Sequence, residues 1–469
     1  MHHWGLRSST LTELSTRLGF VLKHPPELKD GDPVTFRRPS TSKPRSLNAQ
    51  RLPYGFINCL APITPDRHDV ESQVRCLQKR LCRDLPMEAN GGLYSRGGLS
   101  AAADARLQSL ARFVDRFCSE NLAPLDTLPT TPEFIAGINH PAWRKAELTA
   151  IYDQHGGYES GWVPTPKQCS KVSMFIKNED YPEYKEVRAI NSRGDHFKVY
   201  SGPAFSAMEN AVYALPYFAK HLSDSAKIAR LSALHGTVHA TDFTAFESHM
   251  TPAILASIEC RVYAYLLRNY PRLASVIVST ILGRNNVSAR SGLFAKLYGR
   301  RMSGDMCTSL GNGLTNILLA LYITEQKTGD YRNLEGLVEG DDGCFTVRGA
   351  LLTAADYLAL GFTIKMEYHA DPMTAGFCQM YFSSSGQYVR DPLSVLKSFG
   401  WTYSFLGCRP SLLDSLLRAK ALSLAYALPH CPILRAVADR ALFLTQKVVP
   451  RFVADGYHKL PEDEAPPFA

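Results

Sequence analysis

The stretch LVEGDDGCFTV, residues 337–347, sets two adjacent aspartates between glycines and flanks them with apolar residues. Two carboxylates side by side repel, and a bare turn does not need both. The apolar arms read as the strands of a β-hairpin with its turn at Gly340–Gly343. The aspartates at its tip are then either a solvated loop end or one wall of a site that holds strong positive charge.

Working outward, GTVHATDFTAF (236–246) reads as a short strand running into a turn. TPAILASIECRVYAYLLRNYP (251–271) reads as one helix. Pro252 suits its first position, Ile254, Leu255, Ile258, Val262 and Leu266 share a face, and Pro271 marks the stop. LGRNNVSARSGLFAKLYGRR (282–301) carries five cations and no acid. MSGDMCTSLGNGLTNILLALYITEQ (302–326) reads as a glycine-containing loop feeding a helix. At about 100° per residue, Leu310, Leu314, Ile317 and Leu321 share one face, while Thr308, Asn312 and Asn316 lie opposite. Beyond the hairpin, ALLTAADYLALG (350–361) is helical, and FTIKMEY (362–368) alternates, with Lys365 on its polar side. The order strand, helix, loop–helix, hairpin, helix, strand predicts an α+β layer in which one sheet is backed by helices.

Elsewhere, 69–82 and 100–122 have helical spacing, and 411–428 and 431–445 predict helices near the C-terminus. Residues 22–54 are rich in Pro, Ser and cations without apolar periodicity, which predicts an extended segment. The 469 residues, 45% hydrophobic, suffice for two to three domains. Lys and Arg exceed Asp and Glu by 52 − 44 = 8, and residues 1–60 hold nine cations against four acids. That balance fits a polyanionic partner but is shared by many proteins. The eleven cysteines form neither a C-x-x-C pair nor a zinc-spaced cluster, which predicts free thiols in a reducing compartment. No secretory signal and no membrane-spanning run is visible, so work at a membrane would need a tether from another polypeptide.

The aspartate pair makes sense beside divalent metal. Two Mg²⁺ ions about 3.5–4 Å apart clamp the attacking and leaving oxygens of a phosphoryl transfer. They take hard oxygen ligands, and a carboxylate from a second strand must complete the set. Asp242, at the end of its apolar strand, is the candidate, although 341 − 242 = 99 positions separate it from Asp341.

In their order, TDFTAFE (241–247), SGDMCTSLGN (303–312) and GDD (340–342) resemble palm motifs A, B and C of viral RNA-dependent RNA polymerases. The likeness is to the tombusvirus-like and noda-like group of positive-strand RNA viruses. Motif B runs S-G-x-x-x-T-x-x-x-N across Ser303, Gly304, Thr308 and Asn312. GFTIK is similar to motif D, FCQMYF to motif E, and FIKNEDY with KEVRAI to motif F. The likeness spans roughly residues 170–400.

The resemblance implies a right-hand polymerase of fingers, palm and thumb, with an RRM-like antiparallel palm sheet backed by helices. It places an N-terminal basic segment at 1–54, fingers at 55–235 with 281–300, palm over the rest of 236–385, and thumb at 386–469. Asp242, Asp341 and Asp342 would ligate two Mg²⁺, with Mn²⁺ as an alternative. Lys365 would act as general acid toward departing pyrophosphate. Glu247, where most relatives carry Asp, would read the ribose 2′-hydroxyl with Ser303, Gly304, Thr308 and Asn312. Lys177 and Arg188, with Lys185 and Arg193 as further cations, would face the triphosphate. The five-cation stretch would touch template phosphates, and Arg418, Lys420, Arg435 and Arg440 the product duplex. Partners would be RNA template and product, NTPs, and viral replication proteins that tether the chain to membranes in the host cytoplasm. The alternatives are a reverse-transcriptase-like palm polymerase and an inactive RNA-binding scaffold.

Overall fold

Two four-stranded sheets organise the chain in the computed structural model, which describes residues 50–51, 69–82, 85–95, 98–177, 187–378, 380–382, 388–402, 405 and 408–451. In chain order the strands are β1 (Lys171–Ile176), β2 (Ala189–Arg193), β3 (Val238–Phe243), β4 (Arg284–Ala289), β5 (Phe294–Tyr298), β6 (Leu334–Glu339), β7 (Asp342–Val347) and β8 (Ile364–His369). The first sheet has the order β8-β3-β7-β6 and is antiparallel throughout. The second has the order β2-β1-β4-β5 and is antiparallel except where β1 runs parallel to β4. The chain is thus mixed α and β with largely antiparallel sheets, as the alternation of patterns predicts.

The helices that matter below are α1 (Val70–Arg80), α2 (Ala101–Asn121), α3 (Phe246–His249), α4 (Pro252–Ser257), α5 (Glu259–Leu266), α6 (Pro271–Leu282), α7 (Thr308–Thr328), α8 (Pro410–Ala427) and α9 (Pro432–Leu444). Helix α7 packs on β6 and β7, and α2, α4, α5 and α6 continue the same large core. Strand β3 is central and covered on both faces, so only Asp242 at its end is exposed. Its buried His239 is neutral by construction: Nδ1 bonds the Phe345 carbonyl (3.2 Å), Nε2 accepts from the Leu352 N–H (3.2 Å), and burial lowers its pKa.

Three sequence expectations change. The helix expected over 251–271 is broken at Ile258 (φ −119°, ψ −83°), and Pro271 opens α6 instead of closing what precedes it. The break turns Glu259 inward, where it meets Arg301 and accepts from the Tyr263 hydroxyl (3.1 Å). Helix α7 is buried on both faces from Leu310 to Thr324, so its polar side looks at protein: Thr315, for example, reaches Glu259. The basic stretch 282–301 is the β4–β5 hairpin. Two of its cations turn inward, Arg301 onto Glu259 and Arg300 onto the Leu81 carbonyl (3.2 Å).

Near the C-terminus, α8 and α9 pack on each other. Arg418 donates to the Leu442 and Thr445 carbonyls, and Lys420 to that of Ser398 (2.7 Å), so these two cations brace the helices. Arg435 pairs with Asp439, and Arg440 lies over the Phe443 ring. Of the segment 1–54 only Gln50 and Arg51 are described, paired in extended form with Thr402 and Trp401. No helix among the described residues is long and apolar enough to cross a membrane.

Candidate active site

The β6–β7 hairpin closes through a two-residue loop, Gly340–Asp341, because Asp342 already pairs with Glu339. The turn is tighter than Gly340–Gly343. Gly340 takes φ +60° and Asp341 does not share the positive φ, the pattern of a type II′ turn with glycine first. Gly343 is needed for a different reason: a Cβ there would lie 2.6 Å from Thr241 Oγ1.

Register does the rest. Gly343 and Thr241 are the last pair between β7 and β3, so the residues that follow on the two strands, Asp342 and Asp242, come out on the same end of the sheet. On the other side of β3, Lys365 pairs with Asp242. The pairs Lys365–Asp242 and Asp342–Glu339 therefore lie side by side at this end of the sheet, with Asp341 on the turn above them. Glu339 has cations of its own, Lys227 at 3.6 Å and Lys220 at 3.9 Å.

The three aspartates feel one another. Burial and the Asp341 charge raise the pKa of Asp242, against the pull of Lys365. Burial raises that of Asp341, with Glu247 adding to it and Arg80 and Arg188 opposing. Asp342 is pushed up to about 6 by burial and by Asp341 and Asp242, although the Cys378 thiol bonds to it. Glu247 comes within electrostatic reach of Asp341 on α3, which starts in a new direction after Ala245 takes a left-handed φ of +52°. Among the described residues no three His, Cys, Asp or Glu side chains form a ready-made metal cage. Mg²⁺ does not demand one, since it is usually held by one or two carboxylates plus substrate phosphates. Carboxylates whose pKa values are raised by each other gain most from a cation placed among them.

Ser303 donates to the Ala189 carbonyl (2.8 Å) and accepts from the Asn191 N–H (3.2 Å). Gly304 donates its N–H to the Asn191 carbonyl, and a Cβ there would come within about 3.0 Å of Ile190, Asn191 and Ser192. These two residues splice their loop to the edge of β2, whose start follows Arg188. Lys177 is drawn in by its N–H bond to the Arg188 carbonyl (2.8 Å). Thr308 closes the loop by bonding the Asp305 (2.7 Å) and Met302 (3.0 Å) carbonyls. Asn312 is buried with its Oδ1 lacking a partner.

Lys365 is exposed and paired with Glu367, which raises its pKa. Arg193 does not face the site: it is buried in a two-point ion pair with Asp305 (2.7 and 2.9 Å) and bonded to Asn285. Lys185 lies outside the described residues.

Two residues escaped the sequence reading. Asn316, one turn beyond Asn312, donates to the Gly340 (3.3 Å) and Asp342 (3.1 Å) carbonyls and so brackets Asp341. Its place on the polar side of α7 was the available signal. Arg80 ends α1 within electrostatic reach of Asp242 and Asp341, and nothing in its surroundings in sequence marks it.

No known family model matches the chain, and no curated protein matches it significantly.

Proposed function

We propose that this chain is an RNA-directed RNA polymerase, a right-hand enzyme that adds NTPs to an RNA 3′-hydroxyl and releases pyrophosphate. The observation that carries the reading is the convergence of Asp242, Asp341 and Asp342 from positions 99 apart, with Glu247 and Arg188 beside them. Divalent metal, held by one or two of these carboxylates together with substrate phosphates, would supply Lewis-acid stabilisation of the transferred phosphoryl group. The chain's own residues do the remainder. Arg188 supplies positive charge toward the triphosphate, just ahead of a strand held in place by Ser303 and Gly304. Lys365 carries a proton one strand from Asp242 and must leave Glu367 to deliver it. Asn312 offers a buried acceptor to a ribose hydroxyl, and Glu247 a second one from the other side of the turn. Thr308 serves the site by holding the loop shut.

On this reading the first sheet with α7 belongs to the palm, the second sheet to the fingers, and α8 and α9 to the thumb. The partners are template and product RNA and other replication proteins that bring the chain to host membranes. The lack of a closed ligand cage among the described residues is the feature an inactive RNA-binding scaffold would share.

Primer extension with NTPs and dNTPs on RNA and DNA templates, with Mg²⁺ or Mn²⁺, tests all three readings. Extension by NTPs on RNA is expected. Preference for dNTPs would make it a reverse transcriptase, and RNA binding without extension under any metal would make it a scaffold. Asn312→Ala should lower the preference for NTP over dNTP by about five- to tenfold, one hydrogen bond's share; unchanged discrimination would remove Asn312 from ribose reading.

A further inference from the structure

We infer that Arg80, at the end of α1, binds the two phosphates that leave as pyrophosphate and so sets the preference of the site for a triphosphate; this rests on the polymerase reading for the identity of the ligand.

Helix α1 lies outside every motif quoted above, and its last turn is held from two directions. Val74, Cys76 and Leu77 bury one side of the helix in the core beneath the β2-β1-β4-β5 sheet. At its end, Arg300 donates to the Leu81 carbonyl (3.2 Å). The neighbouring Gly299 is pressed onto Pro252, where a Cβ would lie 2.4 Å from the ring. That contact sets the end of α1 beside the segment that follows α3, and α1 packs on α3, the helix of Glu247. Arg80 therefore approaches the carboxylates from a rigid element and not from a loop.

Arg80 is half-buried and makes no hydrogen bond or ion pair among the described residues. Its charge is felt at both Asp242 and Asp341, yet no carboxylate oxygen of a described residue lies within 4.0 Å of its guanidinium. A purely structural partner would have closed on a carboxylate in the two-point pair that Arg193 makes with Asp305. The open distance suits a group with oxygens on both sides. Phosphate is that group: it accepts the guanidinium fork and leaves other oxygens to face the carboxylates and their divalent metal. The neighbouring cations divide the work. Arg193 is taken up by Asp305 and so leaves the set that faces the triphosphate. Arg188 is felt at Asp341, whereas Arg80 is felt there and also at Asp242, whose strand partner is Lys365. Lys365 is the proton donor toward the departing group, so the Asp242 side is the leaving side. Arg80 meets there the β- and γ-phosphates, which a nucleoside monophosphate lacks.

The test compares full-length wild type with Arg80→Gln, Arg80→Lys and, as a control, Lys79→Ala, an exposed neighbour on the same helix. Binding of inorganic pyrophosphate and of AMP is measured by calorimetry in Mg²⁺ buffer, beside primer extension over a range of NTP concentrations. Arg80→Gln is expected to weaken pyrophosphate binding at least about tenfold and AMP binding less than about twofold, the share of hydrogen bonds to a charged group. The KM for NTP should rise by the same factor, and added pyrophosphate should inhibit extension that much less. Arg80→Lys keeps the charge without the fork and should recover part of the loss. Lys79→Ala should change none of these. Equal losses for pyrophosphate and AMP, unchanged pyrophosphate binding in Arg80→Gln, or the same loss in Lys79→Ala would overturn the assignment. Arg80 ties nothing in the fold together, so denaturation midpoints should stay at the wild-type value; a drop in both Arg80 variants would make it a fold residue and overturn the assignment too. Wild type that extends no primer yet binds pyrophosphate through Arg80 would sink the polymerase reading and keep the phosphate site. Wild type that extends primers, with Arg80 variants that bind pyrophosphate and NTP as well as it does, would do the reverse.

Discussion

The two four-stranded sheets differ chiefly in charge. The strands of the first carry Asp242, Glu335, Glu339, Asp342 and Glu367 against one cation, Lys365. Those of the second carry Lys171, Arg193, Arg284 and Lys296 and no acid. Each sheet is incomplete in the sense the other is not: one needs positive charge at its edge, the other negative charge on its face. The loop of Ser303 and Gly304 joins them, since it hangs on β2 and feeds α7, which carries the turn of the first sheet. On the proposed function, a nucleic acid with its metal ions would supply both missing charges at once.

The strongest way to break this contrast is to remove a carboxylate from the acidic edge. Asp341→Asn should lower nucleotide addition at least about 1,000-fold, since metal stabilisation of the transition state contributes several kcal/mol. RNA affinity should stay within about twofold, because the basic sheet is untouched. A mutant that keeps more than a tenth of the rate would show that the acidic edge does not hold the metal.

The joint comes next. Asp305→Asn leaves the Arg193 charge in the interior without a carboxylate, answered by Asn285, the Cys169 carbonyl and the face of the Phe197 ring. Loss of about 3 kcal/mol of stability is expected in denaturant unfolding, the usual cost of leaving a buried charge unpaired. A loss under 1 kcal/mol would mean the ion pair is replaceable and the two sheets are joined by packing alone.

Legibility in the sequence followed how local the cause was. The hairpin around Asp341 and the alternation of 362–368 are set by neighbours in sequence, and both strands form where expected. The convergence of Asp242 on Asp342 required a strand partner, which the chemistry of paired carboxylates pointed to. What could not be read was set by contacts far along the chain. Ile258 breaks its helix because Glu259 must reach Arg301, 42 positions on. Arg193 looked like a substrate cation until Asp305 took it up. The 282–301 stretch showed its charge and not its strands, because its alternation, Val287 with Ala295 and Leu297, is short and interrupted by Gly292.

Asn316 sharpens the contrast at its hinge. Asn316→Ala removes both bonds to the Asp341 turn, and the Mg²⁺ concentration for half-maximal extension should rise about tenfold, with the rate largely recovered at saturating metal. A loss that no metal concentration restores would make Asn316 a fold residue only.

The smallest effect is also the one that isolates the acidic edge from catalysis. Asp342 has a folded pKa of about 6, above the ordinary carboxylate value. A raised acid binds its proton more tightly folded than unfolded, so it supports the fold at low pH and opposes it once charged. The cost therefore develops as pH rises from about 4 to about 6 and persists above. In metal-free buffer at pH 7.5, Asp342→Asn should gain about 1 kcal/mol of stability, after discounting for its partial contact with water. At pH 4 the gain should vanish. Mg²⁺ should stabilise the wild type at pH 7.5 more than the variant, because a cation offsets the repulsion that the amide has already removed. Equal Mg²⁺ effects on both proteins would mean that Asp342 lies outside the ion's field, and the pairs Lys365–Asp242 and Asp342–Glu339 would then be a surface ladder without a metal at its centre.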